Sequence, residues 1–193
     1  MKKTLFLALM LIFSASIFAQ TEVTKFLGIP VDGKKSEMIR KLKAKGFEEH
    51  PYYDKCLTGE FNGKNVNVYV ITNNNKVYRI AVIETSDLDE GQIKIRYNNL
   101  VRQFENNRKY IPGAESATEY IIPEDENISY NISVKNKQYQ AAFYQMTDEE
   151  QASSYTLDTF YRRVWFTISK SIRDYCICIY YENLLNEANG EDL

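Results

Sequence analysis

The sequence predicts an α+β fold: an antiparallel sheet with helices packed on one face, built as two tandem helix-plus-strands units. Three observations carry this expectation. One long amphipathic helix lies near the middle of the chain, short alternating strands joined by tight polar turns flank it, and the order helix then strands occurs twice.

The central helix is read over residues 86–110. Ile93, Tyr97, Leu100, Val101 and Phe104 recur at the spacing that puts apolar side chains on one stripe. Arg96, Asn99, Arg102, Gln103 and Asn106 fill the opposite face. Ser86 is placed to cap the first turn, with Asp87, Asp89 and Glu90 at the positive end of the helix dipole. Arg108 and Lys109 fall in the last turn, and Pro112-Gly113 end it.

The first unit spans residues 20–85. An extended lead-in over 24–30 precedes a short helix over 36–45, whose stripe is Met38, Ile39 and Leu42 and whose stop is Gly46. Strands over 57–61 and 64–71 flank Asn62-Gly63, a strong two-residue hairpin signal. Val66, Val68 and Val70 alternate with polar residues, as a strand with one buried face requires. Asn73-Asn74-Asn75 turns the chain into a third strand over 76–83.

The second unit spans residues 86–186. After the central helix, segments 119–122, 128–134 and 138–145 read as strands, and a polar insert near 147–158 has no counterpart in the first unit. Segments 161–169 and 173–182 form a hairpin across Ser169-Lys170-Ser171. Residues 187–193 read as an acidic, frayed tail.

Residues 1–19 carry the pattern of a signal peptide: Lys2 and Lys3, an apolar run, and Ala19 before the expected cut. The expected mature chain is therefore exported, periplasmic or secreted, and bacterial in character. No cysteine lies at the cut to take a lipid anchor, so no stable membrane anchor is expected. The formal charge of -2 becomes -4 without Lys2 and Lys3, and no basic run is present, which speaks against nucleic acid and anionic membrane as partners. Asn127 and Asn131 match the glycosylation pattern but fall in an expected strand.

Cys56, Cys176 and Cys178 make an odd count. Cys176 and Cys178 share one face of a strand, so a disulfide is expected, if at all, between Cys56 and either Cys176 or Cys178; three buried free thiols are the alternative. The Cys-x-Cys pair lacks the second pair that a zinc site needs. His50 is the one histidine, and no nucleophile motif surrounds it. The acidic runs 87–90, 124–126 and 148–150 lack the ordered ligands of a calcium loop, and the glycines form no phosphate-binding cluster. No cofactor or metal is expected.

Strand alternation singles out one surface. With Val164, Phe166 and Ile168 facing the core, Tyr161, Arg163, Trp165 and Thr167 face outward; with Tyr175, Ile177, Ile179 and Tyr181 inward, Cys176, Cys178 and Tyr180 face outward. Helices cover one face of such a sheet, and an open face bearing Trp, Tyr and Arg suits protein binding. Trp165, Tyr161, Arg163 and Tyr180 are therefore the expected contact residues. The competing expectation is that the insert or the C-terminal segment folds over them.

Gly33-x5-Ile39-x2-Leu42-x3-Gly46-Phe47, followed by a meander of strands and a second such unit, resembles the tandem α+β repeats of the β-lactamase-inhibitor-protein-like and BamE-like (outer-membrane assembly lipoprotein) class, and PepSY-type secreted domains are similar. The resemblance covers residues 31–183 in outline. It implies helices on one face of an antiparallel sheet, no catalysis, and a protein partner held on the open face. The chain departs from BamE-like lipoproteins in lacking the lipidated cysteine. Two functions follow: a non-enzymatic protein-binding module (an inhibitor or an envelope-associated partner), or a small secreted hydrolase using His50 with Cys56 or a nearby carboxylate.

Overall fold

A computed structural model describes residues 22–171 and 173–187. The expected signal peptide, and all of the expected tail except Glu187, lie outside the described residues.

The chain begins with a two-strand hairpin, β1 (Lys25–Phe26) and β2 (Ile29–Pro30), turned by Leu27 and Gly28 at positive φ. Helix α1 (Lys35–Lys43) follows, with Met38 and Leu42 buried. Gly46, at φ 96°, lets Phe47 fold back so that its backbone N–H reaches the Leu42 carbonyl, as the sequence predicts for a glycine beyond the last turn. Then come β3 (Glu48–Glu49), β4 (Cys56–Phe61), β5 (Lys64–Asn73) and β6 (Lys76–Glu84). The tight turns are Asn62-Gly63 and Asn74-Asn75, all four residues at positive φ.

Helix α2 (Glu90–Glu105) is the central helix, and its buried residues are Ile93, Tyr97, Leu100, Val101 and Phe104. Its start differs from expectation. Asp89, not Ser86, is the cap, in a reciprocal pair with Gln92, and the chain leaves the helix early enough for 110–112 to become β7 (Tyr110–Pro112).

Two expected strands are not strands. Residues 119–122 fall in and just after a 3-10 turn over Ala117–Tyr120, whose start Ser116 and Glu119 cap reciprocally. Residues 128–134 lie in helix α3 (Ile128–Lys135), capped by the Asn127 side chain and ended by Asn136 at φ 53°. The Glu90 carboxylate accepts from the Ile128 N–H at 2.7 Å and the Ser129 hydroxyl at 2.5 Å, tying α3 to the start of α2. Ile128 and Asn131 face inward three residues apart, while Tyr130 and Val134 are exposed. Strand β8 (Gln140–Gln145) leads into the insert, which holds helix α4 (Asp148–Ala152) and a 3-10 turn over Leu157–Tyr161; β9 (Arg162–Lys170) and β10 (Tyr175–Asn183) complete the chain.

Eight strands form one antiparallel sheet in the order β3-β4-β5-β6-β10-β9-β8-β7. Each half of the chain supplies a helix and then a four-strand meander, and the last strands of the two meanders, β6 and β10, pair at the centre. Both α1 and α2 lie against one face, where Val66, Val68, Ile80, Val82, Val164, Phe166, Ile177 and Ile179 join them in a continuous core. No helix among the described residues is long and apolar enough to cross a membrane.

The expected bridge from Cys56 to Cys176 or Cys178 is absent: all three are free, buried thiols. Strands β5 and β6 separate Cys56 from β10, and three strand spacings put roughly 14 Å between them, twice the reach of a disulfide.

Candidate functional site

The sheet face turned away from the helices is built by strand register. Its middle row runs Cys56, Tyr69, Ala81, Tyr180, Trp165, Ala142 across β4, β5, β6, β10, β9 and β8. One residue-pair further along lies a second row, Ile71, Arg79, Glu182, Arg163, Tyr144. On the other side lies Thr58, Asn67, Ile83, Cys178, Thr167, Gln140. Val164, Phe166, Ile177 and Ile179 are buried on the opposite face, in agreement with the alternation read from the sequence.

Three of the four expected contact residues meet here. Trp165 stacks on Tyr180 with ring centroids 4.2 Å apart and planes inclined by 23°. Arg79 lies over the other side of this pair, 5.5 Å from the Tyr180 ring and 5.2 Å from Tyr78. Guanidinium, phenol and indole thus form one stack across three strands. Beside it, the fully buried Glu182 carboxylate takes Arg79 at 2.5 Å on one oxygen and Arg163 at 2.6 Å on the other. The fourth residue, Tyr161, is not on the strand: it closes the 3-10 turn ahead of β9 and is exposed.

The insert approaches one end of this face, and Trp165 and Tyr180 are half-buried. Phe160 meets Tyr144 edge-on at 5.0 Å, and Tyr155 meets Phe160 at 6.0 Å. Tyr155, Leu157, Phe160 and Tyr161 are all exposed, so the insert lengthens the aromatic surface beside Arg163. The insert is anchored from the core side. Glu150, buried, accepts from Thr156 and Thr159 and pairs with the buried Arg162, which also donates to the Gln145 and Glu22 carbonyls. Burial alone would raise the Glu150 carboxyl, but hydrogen bonds from Thr159, the Thr147 backbone, Arg162 and Thr156 outweigh it and hold it down at about 2.

Four buried side-chain atoms on the open face make no hydrogen bond: Asn67 Oδ1, Arg79 Nε, Trp165 Nε1 and Glu182 Oε1, the last meeting Arg79 only as an ion pair. The signal for Glu182 was present in the sequence, since alternation on β10 puts it outward after Tyr180. Its partnership with Arg79 and Arg163 depends on register between strands far apart in sequence.

The Cys-x-Cys pair belongs to the same face. Cys176 and Tyr180 flank Cys178 on this face of β10, and Ser169 lies opposite Cys176 on β9. The neighbouring sulfur and burial raise Cys176, while Cys176, Tyr180 and Ser169 outweigh burial and hold Cys178 down at about 7. Burial and the Cys178 sulfur push the Tyr180 hydroxyl up to about 12.

His50 lies elsewhere, in the loop between β3 and β4. Its Nδ1 accepts the backbone N–H groups of Tyr52 and Tyr53 at 3.1 and 3.2 Å, and its ring packs on Tyr53 at 4.5 Å. Cys56 reaches this histidine only through its backbone carbonyl, and its thiol is directed to the Leu57 carbonyl. A groove of about 1590 Å³ opens on the core side near the insert, over Phe104, Tyr110, Ile179 and Tyr181, and His50 does not line it. No group of three or more His, Cys, Asp or Glu side chains among the described residues is arranged to hold a metal ion.

The chain matches no protein-family model, no curated protein and no solved structure.

Proposed function

We propose that the protein is a non-enzymatic protein-binding module whose contact surface is the open sheet face, centred on Trp165 and Tyr180 with Arg163 beside them and Tyr161 at the end of the insert. The observation that carries this reading is the Arg79–Tyr180–Trp165 stack, set on the face that no helix among the described residues covers. Stacked aromatics and guanidinium groups already fixed by Glu182 lose little side-chain freedom when a partner settles on them. Trp, Tyr and Arg are also the residues that most often dominate binding energy.

The reading takes the protein as exported, with residues 1–19 as signal peptide and its partner among proteins of the envelope or exterior. The same helix-then-meander order in both halves supports residues 20–85 and 86–186 as two tandem units, in keeping with the resemblance to β-lactamase-inhibitor-protein-like and BamE-like proteins. The hydrolase reading is disfavoured by His50 itself, whose Nδ1 accepts two backbone N–H groups, and by Cys56, whose thiol donates to the Leu57 carbonyl. The test is paired capture from an envelope extract: a protein retained by the wild-type chain and lost with Trp165→Ala supports the reading, and equal retention by both refutes it.

A further inference from the structure

The groove on the core side is built from residues that the proposed contact on the open face does not use. Its floor is aromatic and aliphatic: Phe61, Leu100, Phe104, Tyr110, Ile179 and Tyr181. Phe104 meets Tyr110 edge-on at 4.7 Å, and Phe61 meets Tyr181 edge-on at 6.2 Å, so these rings hold one another in place. The β1–β2 hairpin forms part of the wall, and Gln145 ties it down. The Gln145 amide accepts from the Lys25 N–H at 2.6 Å and donates to the Lys25 carbonyl at 3.1 Å. Helix α2 is joined to the β4–β5 turn by a hydrogen bond from Asn62 to Gln103 at 2.9 Å. A groove braced in this way is preformed, so little ordering is left to oppose binding.

Charge on the lining is one-sided. Glu22, Glu60, Asp148, Glu149, Glu150 and Asp158 supply six carboxylates, set against the three cations Lys25, Lys109 and Arg162. Lys25 pairs with Glu22 at 2.7 Å, and Arg162 pairs with Glu150. Glu60, Asp148, Glu149 and Asp158 are exposed and have no ion-pair partner among the described residues; of the three cations only Lys109 is likewise unpaired there. An apolar floor under an acidic rim complements a ligand that carries both apolar groups and positive charge. At about 1590 Å³ the groove exceeds the roughly 300–1,000 Å³ of sites that enclose a compact small molecule. An extended peptide fits both features. Its side chains alternate in direction, so one set rests on the rings while the other reaches the carboxylates.

We infer that this groove is a second binding site, which takes an extended peptide segment of a partner protein whose basic side chains alternate with aromatic or aliphatic ones. Burial of the apolar side chains on the floor supplies most of the affinity. Each exposed carboxylate adds little by itself. Together they select cationic over anionic peptide and make binding weaken as salt rises.

The probes are three end-capped, fluorescently labelled peptides: Lys-Phe-Lys-Leu-Lys-Phe-Lys, its counterpart with glutamate for every lysine, and its counterpart with serine for phenylalanine and leucine. Fluorescence anisotropy with the full chain at low salt is expected to show the first binding at least about tenfold more tightly than either other. Combining Glu60→Lys with Glu149→Lys is expected to weaken the first by at least about tenfold, and Lys109→Glu to strengthen it. Trp165→Ala, on the other face of the sheet, is expected to leave it unchanged, so failure here and failure of the open-face reading are distinguishable. NMR titration of the wild type needs no variant and is expected to shift the Leu27, Gln103 and Tyr110 amides and not the Trp165 indole. No binding of the lysine peptide, equal binding of the lysine and glutamate peptides, indifference to the Glu60→Lys and Glu149→Lys pair, or shifts centred on Trp165 would each overturn the inference.

Discussion

Trp165 and Tyr180 face each other across β9 and β10 at 4.2 Å, while their neighbours Phe166 and Ile179 are paired on the same two strands and fully buried on the other face. A single step along either strand therefore passes from surface to core. Trp165→Ala removes one stacked pair and half-buried indole area from the open face and is expected to destabilise by about 2 kcal/mol. Phe166→Ala opens a cavity among Tyr97, Phe104 and Phe143 and is expected to destabilise by about 3–5 kcal/mol. Thermal unfolding of the two variants side by side checks this; a larger midpoint drop for Trp165→Ala would mean the two faces are inverted.

Glu182 is a buried anion held between two guanidinium groups. Glu182→Ala leaves Arg79 and Arg163 facing each other without it, and an expected loss of about 3 kcal/mol follows. Glu182→Gln keeps the shape and part of the hydrogen bonding and is expected to lose less. Denaturant unfolding of both variants measures the difference, and equal losses would contradict a role for the charge.

The inner face of the sheet was legible because period-two runs such as Val66, Val68, Val70 admit only one face assignment once one side must be buried. The same rule placed Trp165, Arg163 and Tyr180 outward before any pairing was known. It misled at 128–134, where Ile128, Tyr130, Ile132 and Val134 alternate like a strand. The helix there is decided by Asn127 at its start and by Glu90, which reaches it from α2, so the deciding contact lies 38 residues away. Tyr161 was misplaced because the insert ends in a 3-10 turn, and nothing in alternation marks where a strand begins. The pairing of Glu182 with Arg79 required the register between β6 and β10, which joins the two halves of the chain.

Helix α3 gives its own test. The Asn127 side chain accepts from the Tyr130 N–H at 2.7 Å, so Asn127→Ala is expected to lose about 1 kcal/mol and Asn127→Asp to lose much less. Hydrogen exchange should show faster opening of residues 128–135 in Asn127→Ala. Unchanged protection there would argue against the cap.

The insert should respond to acid. The Glu150 carboxyl titrates near 2 when folded, below the ordinary glutamate value of about 4.3 when unfolded. A depressed folded value stabilises the fold above the unfolded value, and that contribution falls away as the pH drops from about 4.5 toward 2. Glu150→Gln is expected to flatten this part of the stability curve, and Arg162→Gln to move the loss to higher pH. Unfolding midpoints measured from pH 5 to 2 decide; parallel curves for wild type and Glu150→Gln would contradict the assignment.

The open face as a protein-binding surface is tested most directly by measuring, for one partner captured from the envelope, its affinity for wild type, Trp165→Ala and a control variant on the helix side such as Asn99→Ala. The account predicts at least a tenfold loss for Trp165→Ala at a temperature where the variant is fully folded, and none for Asn99→Ala. Unchanged affinity for Trp165→Ala, or a loss equal to that of the helix-side control, would contradict it.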